Sequence, residues 1–290
     1  MEYRLLGRTG QQLSVIGFGG ILVVAHPQTE ANQMVASAVE RGVTYFDVAP
    51  LYGNGEAEEK LGPALEPFRK DVFLACKTRV RDAAGAQAEM ERSLQRLRTD
   101  HFDLYQIHGV TNLNEVEQAC APGGALDTAV RAQREGKTRF VGFSAHSVEA
   151  ALELLRRFSF DSVLFPFNYA AFLHGGFGPQ VVEVAQRAGA GLLALKGLAR
   201  TGWPDGTTIE QRPWRKCWYE PITDEETASL ALRFTLSLPV TAAIPPAHIE
   251  LWEMALRVAQ DPRPLAPEEE ARLRALAQAT EPLFPLAVPR

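Results

Sequence analysis

Four side chains of this 290-residue chain could act together on one oxygen atom: Asp47, Tyr52, Lys77 and His108. A phenol with a pKa of about 10 is a poor proton donor at neutral pH, and a neighbouring ammonium lowers that pKa by favouring the phenolate. A carboxylate beside the lysine would keep it charged and in place. A neutral imidazole could hydrogen-bond a substrate oxygen and orient it. The chemistry implied is protonation of a carbonyl oxygen while another group attacks the carbon. Singly, each residue has a plainer reading: Asp47 as a helix cap, His108 as a bonded core residue, Lys77 and Tyr52 as surface groups. They rise above those readings only if the fold delivers all four to one place.

The elements that would do so are legible in the alternation of β-rich runs and helical periods. Strands are expected at Val15–Phe18, Thr44–Val48, Val72–Lys77, Phe102–His108, Arg139–Phe143, Ser162–Phe165, Gly191–Leu195 and Val240–Ile244. Helices are expected at about 30–42, 56–66, 83–98, 125–136, 147–157, 179–189, 223–237 and 246–260, with one more at roughly 267–280. Val148, Ala151, Leu152 and Leu155 show one-faced helical spacing, with Ser147 as N-cap and Gly189 ending the helix after it. The segment Tyr3–Val15 reads as a hairpin around Gly7 to Gly10. Eight βα units in series favour a closed (β/α)8 barrel, in one domain spanning residues 1–290. In such a barrel the site lies at the C-terminal strand ends, where Asp47, Lys77 and His108 fall, with Tyr52 in the loop after the second strand.

Composition narrows the class. Lys and Arg total 30 against 35 Asp and Glu, a net charge of −5, so the basic excess of a nucleic-acid partner is missing. No apolar run approaches the roughly 20 residues of a membrane helix. Three cysteines without CxxC spacing fit a reducing compartment and argue against a disulfide framework or metal site. Leu13–Ala25, preceded by Arg4 and Arg8, superficially resembles a secretory signal, but Gly17, Gly19 and Gly20 interrupt it. A cytoplasmic enzyme is expected, with no nucleic-acid or membrane partner and its oligomeric state left open.

The run Phe46-Asp47 through Tyr52-Gly53-Asn54-Gly55 to Leu61-Gly62 closely resembles the signature of the aldo-keto reductase family. The resemblance continues in Arg4–Gly10, Cys76-Lys77-Thr78, Ser93–Leu97, Asp103–His108 and Gly136–Ser144, and covers residues 3 to about 260. It implies a (β/α)8 barrel binding NADPH, less often NADH, across its rim, and hydride transfer to a small aldehyde or ketone. It places a catalytic tetrad on Asp47, Tyr52, Lys77 and His108, with Tyr52 as general acid. Cofactor contacts are expected at Gly20, Asp47, Ser144, His146, Lys196, Gly197, Leu198, Arg200 and Pro245. On this side the chain departs from the family pattern. Ser144-Ala145 stands for Ser-Asn, Leu164 for Gln, Leu195 for the stacking aromatic, Lys196 for a small residue, and Ile244–His248 lacks the usual polar contacts.

The stretch 199–221 has no clear periodicity and holds Trp203, Trp214 and Trp218. It is expected as a possible lid, with Lys196, Arg200, Arg212, Arg215 and Lys216 supplying local positive potential to cofactor phosphates. Three rival readings remain open. One is a cofactor-binding sensor or docking module with little turnover. A second is a Schiff-base lyase using Lys77, and the third a serine hydrolase using Ser144 with Asp224 and His248.

Overall fold

A computed structural model describes residues 1–286. The chain opens on an antiparallel hairpin, β1 (Tyr3–Leu5) with β2 (Gln12–Ser14), in the register Tyr3↔Ser14 and Leu5↔Gln12. A single parallel sheet of eight strands follows. Its members are β3 (Phe18–Gly19), β4 (Tyr45–Asp47), β5 (Phe73–Thr78), β6 (Phe102–Val110), β7 (Thr138–Ala145), β8 (Ser162–Pro166) and β9 (Gly191–Leu195). A separate antiparallel pair intervenes, β10 (Ala199–Gly202) with β11 (Tyr219–Pro221), before β12 (Val240–Ile244) completes the sheet beside β9. The ring closes where Gly17 N donates to Ala243 O at 2.9 Å and Ala243 N donates to Val15 O at 2.8 Å. The fold is therefore a (β/α)8 barrel with an N-terminal hairpin.

Helices cover its outside: α1 (Gln28–Glu40), α2 (Glu56–Leu65), α3 (Ala83–Arg96), α4 (Leu113–Cys120), α5 (Ala125–Arg134), α6 (Val148–Arg157), α7 (Tyr169–Leu173), α8 (Pro179–Arg187), α9 (Glu225–Ser237) and α10 (Ile249–Val258). The extra C-terminal helix is α11 (Pro267–Gln278). Ser147 caps α6 as expected, its hydroxyl accepting from Ala150 N at 3.3 Å. Two short helices, α4 and α7, were not expected. Each starts at an asparagine whose side chain accepts from the backbone two or three residues on, a local cap that outweighs weak periodicity.

The strand period of two sorts side chains between two cores. Outward residues such as Phe46, Leu74, Tyr105, Val141, Phe165 and Leu192 join the large cluster beneath the helices. Inward residues Tyr45, Phe73, Ala75, Leu104, Leu164, Leu193 and Ala242 form a smaller cluster within the ring, together with Leu6 and Leu13 of the hairpin. The hairpin thus plugs the N-terminal end of the barrel. What remains open is the end at which the strands finish.

Candidate active site

The same period aims the site. On β4 it turns Tyr45 and Asp47 inward, on β5 Ala75 and Lys77, and on β6 Leu104, Gln106 and His108. Asp47 and Lys77 are both buried and form an ion pair through Lys77 Nζ and Asp47 Oδ1. Lys77 Nζ also donates to Val48 O at 3.2 Å, and Tyr45 Oη donates to the second Asp47 oxygen at 3.0 Å. Each carboxylate oxygen thus has a donor, and the ammonium is held.

Tyr52 reaches the pair from the turn after β4. Gly53, Asn54 and Gly55 follow with φ of 61°, 54° and 97°, three left-handed residues in a row before α2 begins. Glycine adopts that region freely and asparagine is the side chain that tolerates it best, which is why the chain can reverse so tightly there. The Lys77 ammonium lies 5.5 Å from the centroid of the Tyr52 ring. The His108 ring meets Tyr52 edge-on at 6.1 Å. All four residues expected to work together are therefore brought together.

Their electrostatics differ in one respect from the sequence reading. Burial pushes the Tyr52 phenol above the ordinary tyrosine value, and the nearby Lys77, which pulls the other way, does not overcome it. Tyr52 is half-buried and lines the cavity, but protein surrounds it closely enough that desolvation of the phenolate wins. Burial also works against the Lys77 ammonium, yet Asp47 and Tyr52 hold its pKa above that of ordinary lysine. His108 is neutral: burial, then Lys77 and His146, push its pKa well below the usual value.

These groups open into a cavity of about 350 Å3 at the mouth of the barrel. Of the residues expected on the cofactor side, Asp47, Ser144, His146, Lys196 and Pro245 line it. Gly20, Gly197, Leu198 and Arg200 do not. Gly20 packs on Val48 and Leu61, Gly197 on Thr235, and Leu198 is buried in the outer core. Ser144 Oγ accepts from Gly109 N at 2.7 Å, and the His146 ring stacks on Phe284 at 5.7 Å. Lys196 sits in the left-handed region with φ 67°. Its ammonium lies 4.6 Å from the Tyr219 ring centroid and 5.4 Å from that of Trp218, and burial lowers its pKa to about 8. Among the described residues no carboxylate pairs with it.

The stretch after β9 is a hairpin, where the sequence had shown only a loop. Its two strands are joined by β10–β11 pairing and by Trp203 Nε1 donating to Cys217 O at 2.9 Å. Cys217, Trp218 and Tyr219 form part of the cavity wall. Lys216 crosses the mouth, with Nζ donating to Leu22 O at 2.9 Å. Arg200 turns away to Asp224 (3.2 Å) and Glu220 (3.9 Å). Arg212 and Arg215 bond carbonyls of their own loop. Of the five cations expected there, Lys196 and Lys216 face the cavity.

Sequence reasoning missed Gln106, a buried barrel-interior amide whose nitrogen and oxygen both lack partners among the described residues. The inward period on β6 is the signal that could have found it. Trp218 was expected in the possible lid, but Cys217 and Tyr219 were given no place in the site, since pairing with β10 places them and no local pattern announces that. Two of the rival readings, the Schiff-base lyase and the serine hydrolase, lose their geometry. Lys77 is held charged by Asp47, which removes the lone pair a Schiff base needs. Asp224 caps α9 and pairs with Arg200, and His248 Nε2 accepts from Lys216 N, so neither is engaged with Ser144.

Comparison with known proteins gives four likenesses. The family model described as the Aldo/keto reductase family matches residues 15–247. The Bacillus subtilis oxidoreductase YqkF is 25% identical over 269 residues, covering 84% of this chain and 86% of that protein. Among solved structures, the holo form of aldo-keto reductase AKR11C1 from Bacillus halodurans superposes with a TM-score of 0.74 at 24% identity, over 96% of this chain and 97% of the other. An aldo-keto reductase from Klebsiella pneumoniae in complex with NADPH gives a TM-score of 0.74 at 20% identity, over 100% of both chains.

Proposed function

Since the chain belongs to the aldo/keto reductase family, we propose that it reduces an aldehyde or ketone to an alcohol, or runs the reverse reaction, with NADPH or NADH. The observation that carries this reading is the buried Asp47–Lys77 pair beside the Tyr52 ring, with a neutral His108 across the same cavity. Such a group of titratable residues at the C-terminal end of a barrel is the arrangement expected of proton transfer to a bound substrate.

The residues present fit a dinucleotide. A buried ammonium at Lys196 with no carboxylate paired to it among the described residues is costly unless an anion joins it, and a cofactor phosphate would supply one. Ser144, His146, Lys196, Lys216 and Pro245 would hold the group, over an apolar floor of Leu164 and Leu195. The Klebsiella reductase of the same fold, solved with NADPH, supports the choice. When bound, the reduced nicotinamide supplies a hydride to the carbonyl carbon.

The chain's own groups handle the oxygen. Tyr52 Oη gives its proton to the carbonyl oxygen and is left as a phenolate, which the Lys77 ammonium stabilises; solvent later restores the proton. Asp47 keeps that ammonium charged and in place. His108, being neutral, donates a hydrogen bond that orients the carbonyl. On this reading Leu164, Leu195 and Ile244–His248 depart from the family pattern on the cofactor side, and Lys196 would serve as the substitute anchor.

The test is titration of the purified protein with NADPH and, separately, NADH, followed by turnover on a panel of small aldehydes and ketones. Saturable binding with oxidation of the cofactor by at least one carbonyl supports the reading. Tight binding without turnover would favour a sensor, and absence of binding by calorimetry would overturn the reading.

A further inference from the structure

A second cavity, of about 310 Å3, lies against the first, and Leu51 and His108 line both. Its remaining wall is basic. Arg92 and Arg96 project from α3, and Arg79 lies just beyond the end of β5. The one carboxylate in that wall is Glu89, and it already accepts from Thr78 Oγ1 at 2.6 Å. Arg96 is engaged by Glu58 at 3.2 Å and Glu59 at 3.5 Å. Arg79 and Arg92 form no ion pair and no side-chain hydrogen bond among the described residues. Two free guanidinium groups in one recess repel each other, and a chain with 35 acidic residues has the means to pair them. Arg79 also acts on the site itself, since its charge is among those that keep His108 and His146 neutral.

We propose that this recess is an anion subsite, and that the preferred substrate is a small carbonyl compound carrying a carboxylate or phosphate, held by Arg79 and Arg92 while its carbonyl lies against Tyr52 and His108. The inference rests on the carbonyl-reductase reading and adds to it a substrate class. Guanidinium groups suit both anions, because their planar fork of donors matches two oxygens at once. Both arginines are exposed, so the preference weakens as ionic strength rises.

Matched pairs of substrates test it: butanal against 4-oxobutanoate for the carboxylate, and glyceraldehyde against glyceraldehyde 3-phosphate for the phosphate. The wild-type protein should prefer the anionic member of at least one pair by about tenfold or more in kcat/KM, chiefly through KM. Which pair shows the preference identifies the anion. Arg79→Gln and Arg92→Gln should each lower the anionic-to-neutral ratio by several-fold. Arg134→Gln, which removes the same charge from the exposed face of α5, should leave the ratio where it was. Equal rates within both pairs, or arginine variants that slow both members alike, would overturn the proposal.

Binding of succinate and of inorganic phosphate, measured by calorimetry on the NADPH-loaded protein, separates the two readings. If no carbonyl is reduced but either anion binds and Arg92→Gln abolishes it, the subsite stands and the reductase assignment falls. If neutral aldehydes are reduced and neither anion binds, the reductase stands and the subsite falls.

Discussion

At Tyr52 two demands meet. On the mechanism proposed above it must release a proton; burial raises its pKa, and Lys77 beside it works the other way. Tyr52→Phe keeps the ring and its packing and removes the proton. It should lower kcat by about 10²- to 10⁴-fold while NADPH affinity, read by calorimetry, changes little. A raised phenol also predicts a reduction rate that stays flat with rising pH until above the ordinary tyrosine value, where the phenolate accumulates. His146 carries a different pH signature. Burial first, then Lys196 and Arg79, lower its pKa to about 4, against about 6.5 in the unfolded chain. Between those values the unfolded chain binds a proton that the native state does not. The stability is therefore fully present above about pH 6.5 and lost as pH falls towards 4. Urea unfolding from about pH 7 to pH 4.5 should show wild type losing roughly 2 kcal/mol more than His146→Gln over that range. Equal losses would mean that the ring is solvated.

The element that decides whether Tyr52 points into the cavity is the left-handed turn at Gly53-Asn54-Gly55. Asn54→Gly should preserve both stability and kcat. Asn54→Ala, which loses the tolerance of asparagine for φ 54°, should cost about 1 kcal/mol and lower kcat by displacing Tyr52. Paired thermal unfolding and steady-state rates check both, and an Ala variant as active and stable as the Gly variant would show that the turn is unstrained. The hairpin of β10 and β11 is the other element that matters. It brings Cys217, Trp218 and Tyr219 over Lys196, so an aromatic wall surrounds a cation that has no carboxylate among the described residues. That enclosure is what lowers the lysine's pKa.

Across the whole molecule, residues 15–17 at one end of the sequence close the ring against β12 near the other. Leu6 and Leu13 then seal the bottom against side chains from β4, β5, β6, β8, β9 and β12. A chain closed this way is proposed to unfold as one unit. Leu6→Ala should remove about 2–5 kcal/mol, because a fully buried leucine leaves a cavity where several strands meet. Calorimetry should show one transition shifted down as a whole. A split transition would mean that the hairpin and the barrel melt separately.

The periodicities of two and 3.6 sufficed to place eight strands and most of the helices, because burial on one face leaves its mark on every turn and pleat. The same strand period put Asp47, Lys77 and His108 at strand ends on one face, and the spacing after Asp47 put Tyr52 nearby. Those are local properties, and a single sequence carries them. The sign of the Tyr52 shift was not legible, since it depends on how much protein surrounds the hydroxyl and not on which residue neighbours it. Nor was the partition of the cations between Lys196 and Lys216, which face the cavity, and Arg200, Arg212 and Arg215, which are bonded elsewhere. Long-range pairing of β10 with β11, and the shared cavity that Arg79 and Arg92 line from a strand end and a helix, exist only once the barrel has closed.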